Sequence, residues 1–156
     1  MKKLILASAA MLALVACETG TSSDSSSDGN AKTINGYTCE VTRTDKSVTI
    51  YETYVAGTYK QTQTVYKDLD GFDYSVFTTD ITYMDPSDAA DDCADEKEEA
   101  REWRDGSYQV ECSSNAVHVR HRDDSTLQDM DETARNFQNM CDEGYVRAKN
   151  GTLNDD

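Results

Sequence analysis

The chain has 156 residues, with Lys+Arg 15 against Asp+Glu 30 and a formal charge of −15 at pH 7. That length allows one domain, not two, and a surface so acidic would repel phosphates instead of releasing their counterions, which excludes nucleic acid as a partner. Apolar residues make up 37%, low for a packed domain.

Lys2 and Lys3 precede a largely apolar run from Leu4 to Ala16. At 1.5 Å per residue that run is about 20 Å long as a helix, too short for a hydrocarbon core of about 30 Å. Residues 1–16 therefore read as a removable export signal. Losing Lys2 and Lys3 leaves 13 basic groups against 30 acidic ones, a charge of −17. The run closes on Leu14, Val15, Ala16 and Cys17, a tetrad that resembles the lipobox of bacterial lipoproteins. An ordinary secretory signal ends on a small-x-small site with no cysteine required after it. The resemblance implies that Cys17 takes a diacylglyceryl group and becomes the new amino terminus. At about 0.8 kcal/mol per buried methylene, such chains hold a protein on a membrane almost permanently, without crossing it. Glu18 stands where the family's inner-membrane retention signal is an aspartate, so the resemblance implies a Gram-negative outer membrane, with the domain periplasmic or surface-facing.

Residues 17–33 then form the lipidated cysteine and a tether. Seven Ser or Thr hydroxyls lie between Glu18 and Lys32, with two aspartates and two glycines and nothing to anchor a core. Such a stretch stays unfolded, with a root-mean-square span of about 20 Å. The run from Thr21 to Asp28 resembles, in composition, the Ser/Asp tethers of paralogous lipoproteins in fibre-degrading anaerobic bacteria.

Residues 34–150 read as a single α+β domain, followed by an acidic flexible tail, 151–156. From Tyr37 to Met84 the pattern is period-two alternation rich in β-branched and aromatic residues, which predicts four strands. Tyr37, Cys39 and Val41 point inward, as do Val48 and Ile50 on the second strand. Gly57 marks a turn into a polar strand from Thr58 to Lys67. Asp70 and Gly71 predict a type I′ hairpin, which needs positive φ at both residues. The fourth strand runs from Phe72 to Met84, and the shift of its inward set from Tyr74 and Val76 to Phe77, Ile81 and Tyr83 predicts a bulge near Val76.

Pro86 opens a helix capped by Asp85 or Ser87. Ala90, Cys93, Ala94, Ala100 and Trp103 form its inward stripe, with Glu96, Glu98, Glu99 and Glu102 in water, and Gly106 stops it. Tyr108, Val110 and Cys112 make a fifth inward set and Val117 and Val119 a sixth. A last helix from about Ser125 to Lys149 carries Leu127, Met130, Ala134, Phe137, Cys141 and Tyr145 on one face and closes at Gly151. The expected architecture is β4-α-β2-α, an antiparallel sheet with two helices packed on one face.

Apart from Cys17, four cysteines remain, an even number in an exported chain, which predicts two disulfides with three possible connectivities. Folding the first helix back along the fifth strand from Gly106 puts Cys93 about 18 Å up the helix and Cys112 about 20 Å along the strand. That favours Cys93 with Cys112 and Cys39 with Cys141, over a zinc site that would lack any Cys-x-x-Cys pair. The bonds have work to do: Leu, Ile, Val and Phe number 18 of the 140 residues after the leader, a fraction that with this charge would otherwise argue for disorder.

Chemistry-bearing motifs are few. There is no Gly-x-Ser-x-Gly, no His-Glu-x-x-His and no Gly-rich phosphate loop, so no catalytic residue, metal or cofactor is assigned. Around Asp68–Asp73 an EF-hand match would put Tyr66 and Phe77 at ligand positions, and neither can coordinate. His118 and His121 face opposite sides of their strand. The basic stretch from Val119 to Asp124 is expected to salt-bridge the acidic helices, with an anionic ligand as the alternative. Tyr51, Tyr59 and Tyr66 are expected to form an exposed aromatic strip on the uncovered sheet face. The expected function is a lipid-anchored envelope lipoprotein with a non-catalytic binding or scaffolding domain. Its partners would be the membrane, through Cys17, and a glycan or a protein. The alternative is a small envelope hydrolase or a carbohydrate-binding accessory protein.

Overall fold

A computed structural model describes residues 32–103 and 105–153; the leader, Cys17 and the tether up to residue 31 lie outside them, as does the end of the tail. The elements in chain order are β1 (Thr38–Arg43), β2 (Ser47–Tyr54), β3 (Gly57–Lys67), β4 (Asp73–Tyr83), α1 (Pro86–Glu102), β5 (Tyr108–Cys112), β6 (Ala116–Asp123) and α2 (Met130–Asn150). The fold is α+β: one open antiparallel sheet of six strands, ordered β1-β2-β3-β4-β6-β5, with two helices. From β4 the chain crosses by α1 to the far edge strand β5, and β6 returns to fill the gap between them. Because β6 is antiparallel to both, β4 and β5 run parallel, which requires a crossover such as α1.

Alternation assigns the faces. Cys39, Val48, Ile50, Tyr59 and Ile81 share one face and pack with Phe137, Cys141 and Ala148 of α2. α2 lies over β1 and β2, whereas α1 lies over β5, β6 and the near side of β4. The Cys39–Cys141 bond ties α2 to β1 and the Cys93–Cys112 bond ties α1 to β5, with Cα separations of 5.4 and 6.1 Å. In mid-α2, Gly144 meets the fully buried Tyr37: a Cβ there would stand 2.0 Å from the Tyr37 hydroxyl. Only glycine lets that ring lie against the helix backbone.

The opposite face is uncovered and carries threonine in ranks. Thr38, Thr53, Thr58 and Thr82 are paired neighbours across β1 to β4, as are Thr42, Thr49, Thr62 and Thr78. Hydroxyls bond within the ranks, Thr49 to Thr62 at 2.9 Å and Thr58 to Thr82 at 2.6 Å. Between them runs a rank of alternating charge and polarity, Glu40, Tyr51, Lys60, Asp80, His118 and Glu111, in which His118 Nδ1 lies 2.6 Å from Asp80 Oδ1.

Several expectations are corrected. β4 pairs without interruption from Asp73 to Tyr83, so there is no bulge at Val76; Tyr74 and Val76 simply occupy the uncovered face. At Asp70–Gly71 only the glycine has positive φ, +86°. The loop is a turn closed by Gly71 N–H to Asp68 O at 3.2 Å and Asp68 N–H to Phe72 O at 2.9 Å, a three-residue connection with glycine in the left-handed position, not type I′. α2 begins at Met130, because residues 127–129 form a turn, and Leu127 is exposed there. Its carboxyl end stops as expected, on Gly151 at φ +74°, yet Leu153 packs back on the core instead of trailing in a tail. α1 is rotated by about one position from expectation: Ala89 is buried and Asp92 and Glu96 are half-buried, while Ala90 and Ala94 are exposed.

Candidate functional site

The β3–β4 hairpin is the longest in the sheet, eleven paired residues a side, and its end reaches past β2, whose pairing stops at Thr64. On the uncovered face of that end Tyr66 stacks on its direct partner Tyr74, centroids 5.6 Å apart. The Arg122 guanidinium of β6 lies 4.1 Å over the Tyr74 ring. A cation held flat on an aromatic face is fixed in place at little cost in solvation. Leu69 and Phe72 stand exposed in the hairpin loop beyond.

An open cleft of about 660 Å³ runs from this stack round the end of β6, with Tyr74, Arg120 and Arg122 on the uncovered face, His121 and Trp103 on the helix-covered one, and Asp105, Asp123 and Asp124 completing the lining. Trp103 ends α1 and keeps 39% of its surface exposed. Its ring stacks on Tyr108 at 5.8 Å and meets His121 edge-on at 4.7 Å. The two flanking carboxylates are fixed by one local device used twice, an aspartate accepting from the serine two residues on. Asp105 Oδ1 accepts from Ser107 N–H at 3.0 Å and its hydroxyl at 2.7 Å; Asp123 Oδ1 accepts from Ser125 N–H at 2.9 Å and its hydroxyl at 2.8 Å. The Ser107 bonds hold the Asp105 carboxyl below the usual range.

A different constellation lies beneath α1. Tyr108 donates to Glu96 at 2.5 Å, and Asp92 sits beside Tyr83 with its Oδ2 buried and without a hydrogen-bond partner. Burial pushes both carboxyls above their ordinary values, and their acidic neighbours add to it. Under α2, Tyr37 donates to the buried Glu52. These groups are packed into the domain, Tyr108 lying behind the Trp103 wall of the cleft, and the Tyr108–Glu96 and Tyr37–Glu52 bonds satisfy carboxylates that a thin apolar core encloses.

The expected tyrosine strip does not form. Tyr51 and Tyr66 are on the uncovered face, 42% and 47% exposed, but Tyr59 is 8% exposed on the helix-covered face, opposite Glu52 and Ile81. It shares strand parity with the buried Val65, which fixes its side. Tyr51 pairs with Lys60, six residues from Tyr66 and hence about 20 Å away along β3. The basic stretch is also corrected: among the described residues the ion pairs join Arg43 to Asp131, Lys67 to Asp73 and His118 to Asp80, and none uses Arg120 or Arg122. Sequence reading missed Tyr74 and Trp103 as cleft walls, and no motif marks them: the Asp-x-Ser turns at 105–107 and 123–125 recur at 85–87, at the other end of α1. Among the described residues no group of three His, Cys, Asp or Glu could hold a metal, and no helix is long and apolar enough to cross a membrane. Compared with protein-family models, curated proteins and solved structures, the chain matches none.

Proposed function

We propose that the chain is a lipid-anchored lipoprotein of a Gram-negative cell envelope whose β4-α-β2-α domain binds a partner without catalysis. The observation that carries the binding part is where the cleft stands. Lys32, where the chain enters the fold, accepts from the Tyr145 hydroxyl at 2.8 Å. Residues Thr38, Thr53 and Thr58 are paired at that end of the sheet. The cleft and the Tyr66–Tyr74–Arg122 stack lie at the other end, eight β3 residues away, about 26 Å. A domain tethered at one end would therefore present its aromatic and arginine groups outward. Lys2, Lys3, the apolar run and the Leu14-to-Cys17 tetrad support the anchor, and the Ser/Asp stretch supports the tether.

Expression of the full chain in a Gram-negative host tests this. The expected result is a membrane-fraction protein whose amino-terminal peptide begins at Cys17 with the mass of added acyl chains, and a Cys17→Ser variant lost from that fraction. An intact Met1 terminus in the cell would overturn the reading.

A further inference from the structure

We infer that the cleft between Trp103 and Arg122 is a subsite for an uncharged oligosaccharide; this deepens the binding reading above and rests on it. The choice of ligand class follows from the mixture of groups around the cleft. Arg120 and Arg122 can only donate hydrogen bonds, and Asp105, Asp123 and Asp124 can only accept them. An anion entering there would meet three carboxylates in a chain of charge −15, and a cation would meet two guanidinium groups. A sugar meets neither conflict, because each hydroxyl donates once and accepts twice, so a vicinal pair of hydroxyls can use a guanidinium and a carboxylate together.

The remaining features suit such a ligand. Trp103 offers an amphipathic ring, over a third exposed, against which the C–H face of a pyranose can lie. The volume of about 660 Å³ falls within the range of about 300–1,000 Å³ typical of small-molecule sites. Three of the five charged walls are already held: Asp105 by Ser107, Asp123 by Ser125, and Arg122 by the Tyr74 ring. Trp103 rests against the paired Tyr108 and His121 at the end of a helix that the Cys93–Cys112 bond pins to the sheet. Groups fixed before binding lose little entropy on binding.

Trp103 is the sole tryptophan in the sequence, so its emission reports on the cleft alone. The test is a fluorescence titration of the full chain, in a detergent without a sugar headgroup, against cellotriose, xylotriose, mannotriose and chitotriose, with inorganic phosphate and sulfate in parallel. At least one trisaccharide should shift the emission saturably while the ions leave it unchanged. Arg122→Ala and Asp124→Asn should each weaken that response by about tenfold or more, as loss of a hydrogen bond to a charged group would. Tyr51→Ala, remote on the same sheet face, should leave it unchanged, and matching thermal melts would show that the variants are folded. Silence across the sugars, saturation by phosphate or sulfate in their place, or unaltered binding by both cleft variants would overturn the proposal. Silence from a chain that does carry acyl groups on Cys17 sinks the oligosaccharide alone, whereas a chain without them sinks the envelope reading whatever the sugars do.

Discussion

The two helices cover the same sheet by different means. α2 buries Met130, Phe137, Cys141, Gly144 and Ala148 and contributes to the main core cluster. α1 buries only Ala89 and turns Asp92 and Glu96 toward the sheet. Each helix has one disulfide to the sheet, but α2 adds hydrocarbon and close backbone approach, whereas α1 adds little more than the Tyr108 hydroxyl bonded to Glu96. The cleft stands at the end of the second. A rigid site has therefore been built on the half of the domain with the least apolar burial, and the Cys93–Cys112 bond is what compensates.

Breaking the bonds separates the halves most strongly. In the chain-entropy picture the Cys39–Cys141 link, spanning 102 residues, contributes about 4.7 kcal/mol, and the Cys93–Cys112 link, spanning 19, about 3. Against a total stability of about 5 to 15 kcal/mol, a Cys39→Ala, Cys141→Ala variant should lose most of its melting transition. A Cys93→Ala, Cys112→Ala variant should keep a transition and show faster amide exchange in α1 than in α2. Equal exchange in the two helices would remove the contrast.

The next effect is confined to the α2 half. Gly144→Ala forces the helix away from Tyr37 and should cost about 1–3 kcal/mol, the usual penalty of overpacking, or more; a denaturant melt measures it. An unchanged midpoint would mean that the Tyr37 ring does not lie against that backbone.

The smallest effect belongs to the α1 half and depends on pH. Asp92 and Glu96 have carboxyls raised by burial, so the folded state binds their protons more tightly than the unfolded state does. Their contribution is therefore most favourable at acidic pH and is lost as pH rises through the raised values. The melting temperature should climb as pH falls from neutrality into the range where the raised carboxyls take up their protons, and Glu96→Gln, which keeps a partner for Tyr108, should flatten that climb. A variant with the parent's full pH slope would refute the assignment.

Much of the fold is legible because apolar residues mark it. Tyr37, Cys39, Val48 and Ile50 alternate inward as read, Asp85 caps α1 by accepting from Ser87, and Met130, Phe137 and Cys141 line α2. Legibility fails where polar groups go inside. Hydrophobic periodicity has no means of finding Glu96 beneath a helix, since the energy that admits it comes from a Tyr108 hydroxyl twelve residues on. The cleft is illegible for a related reason: its walls come from three separated segments, and only the sheet register brings Tyr74 beside Arg122.

The threonine ranks have a consequence for how copies of this domain coexist. Two uncovered faces pressed together would surrender hydration from rows of hydroxyls and the charged groups between them, and would gain hydrocarbon contact only at Tyr51 and the Tyr66–Tyr74 stack. Crowded side by side at high density, such domains have little reason to coalesce through their broad flat sides.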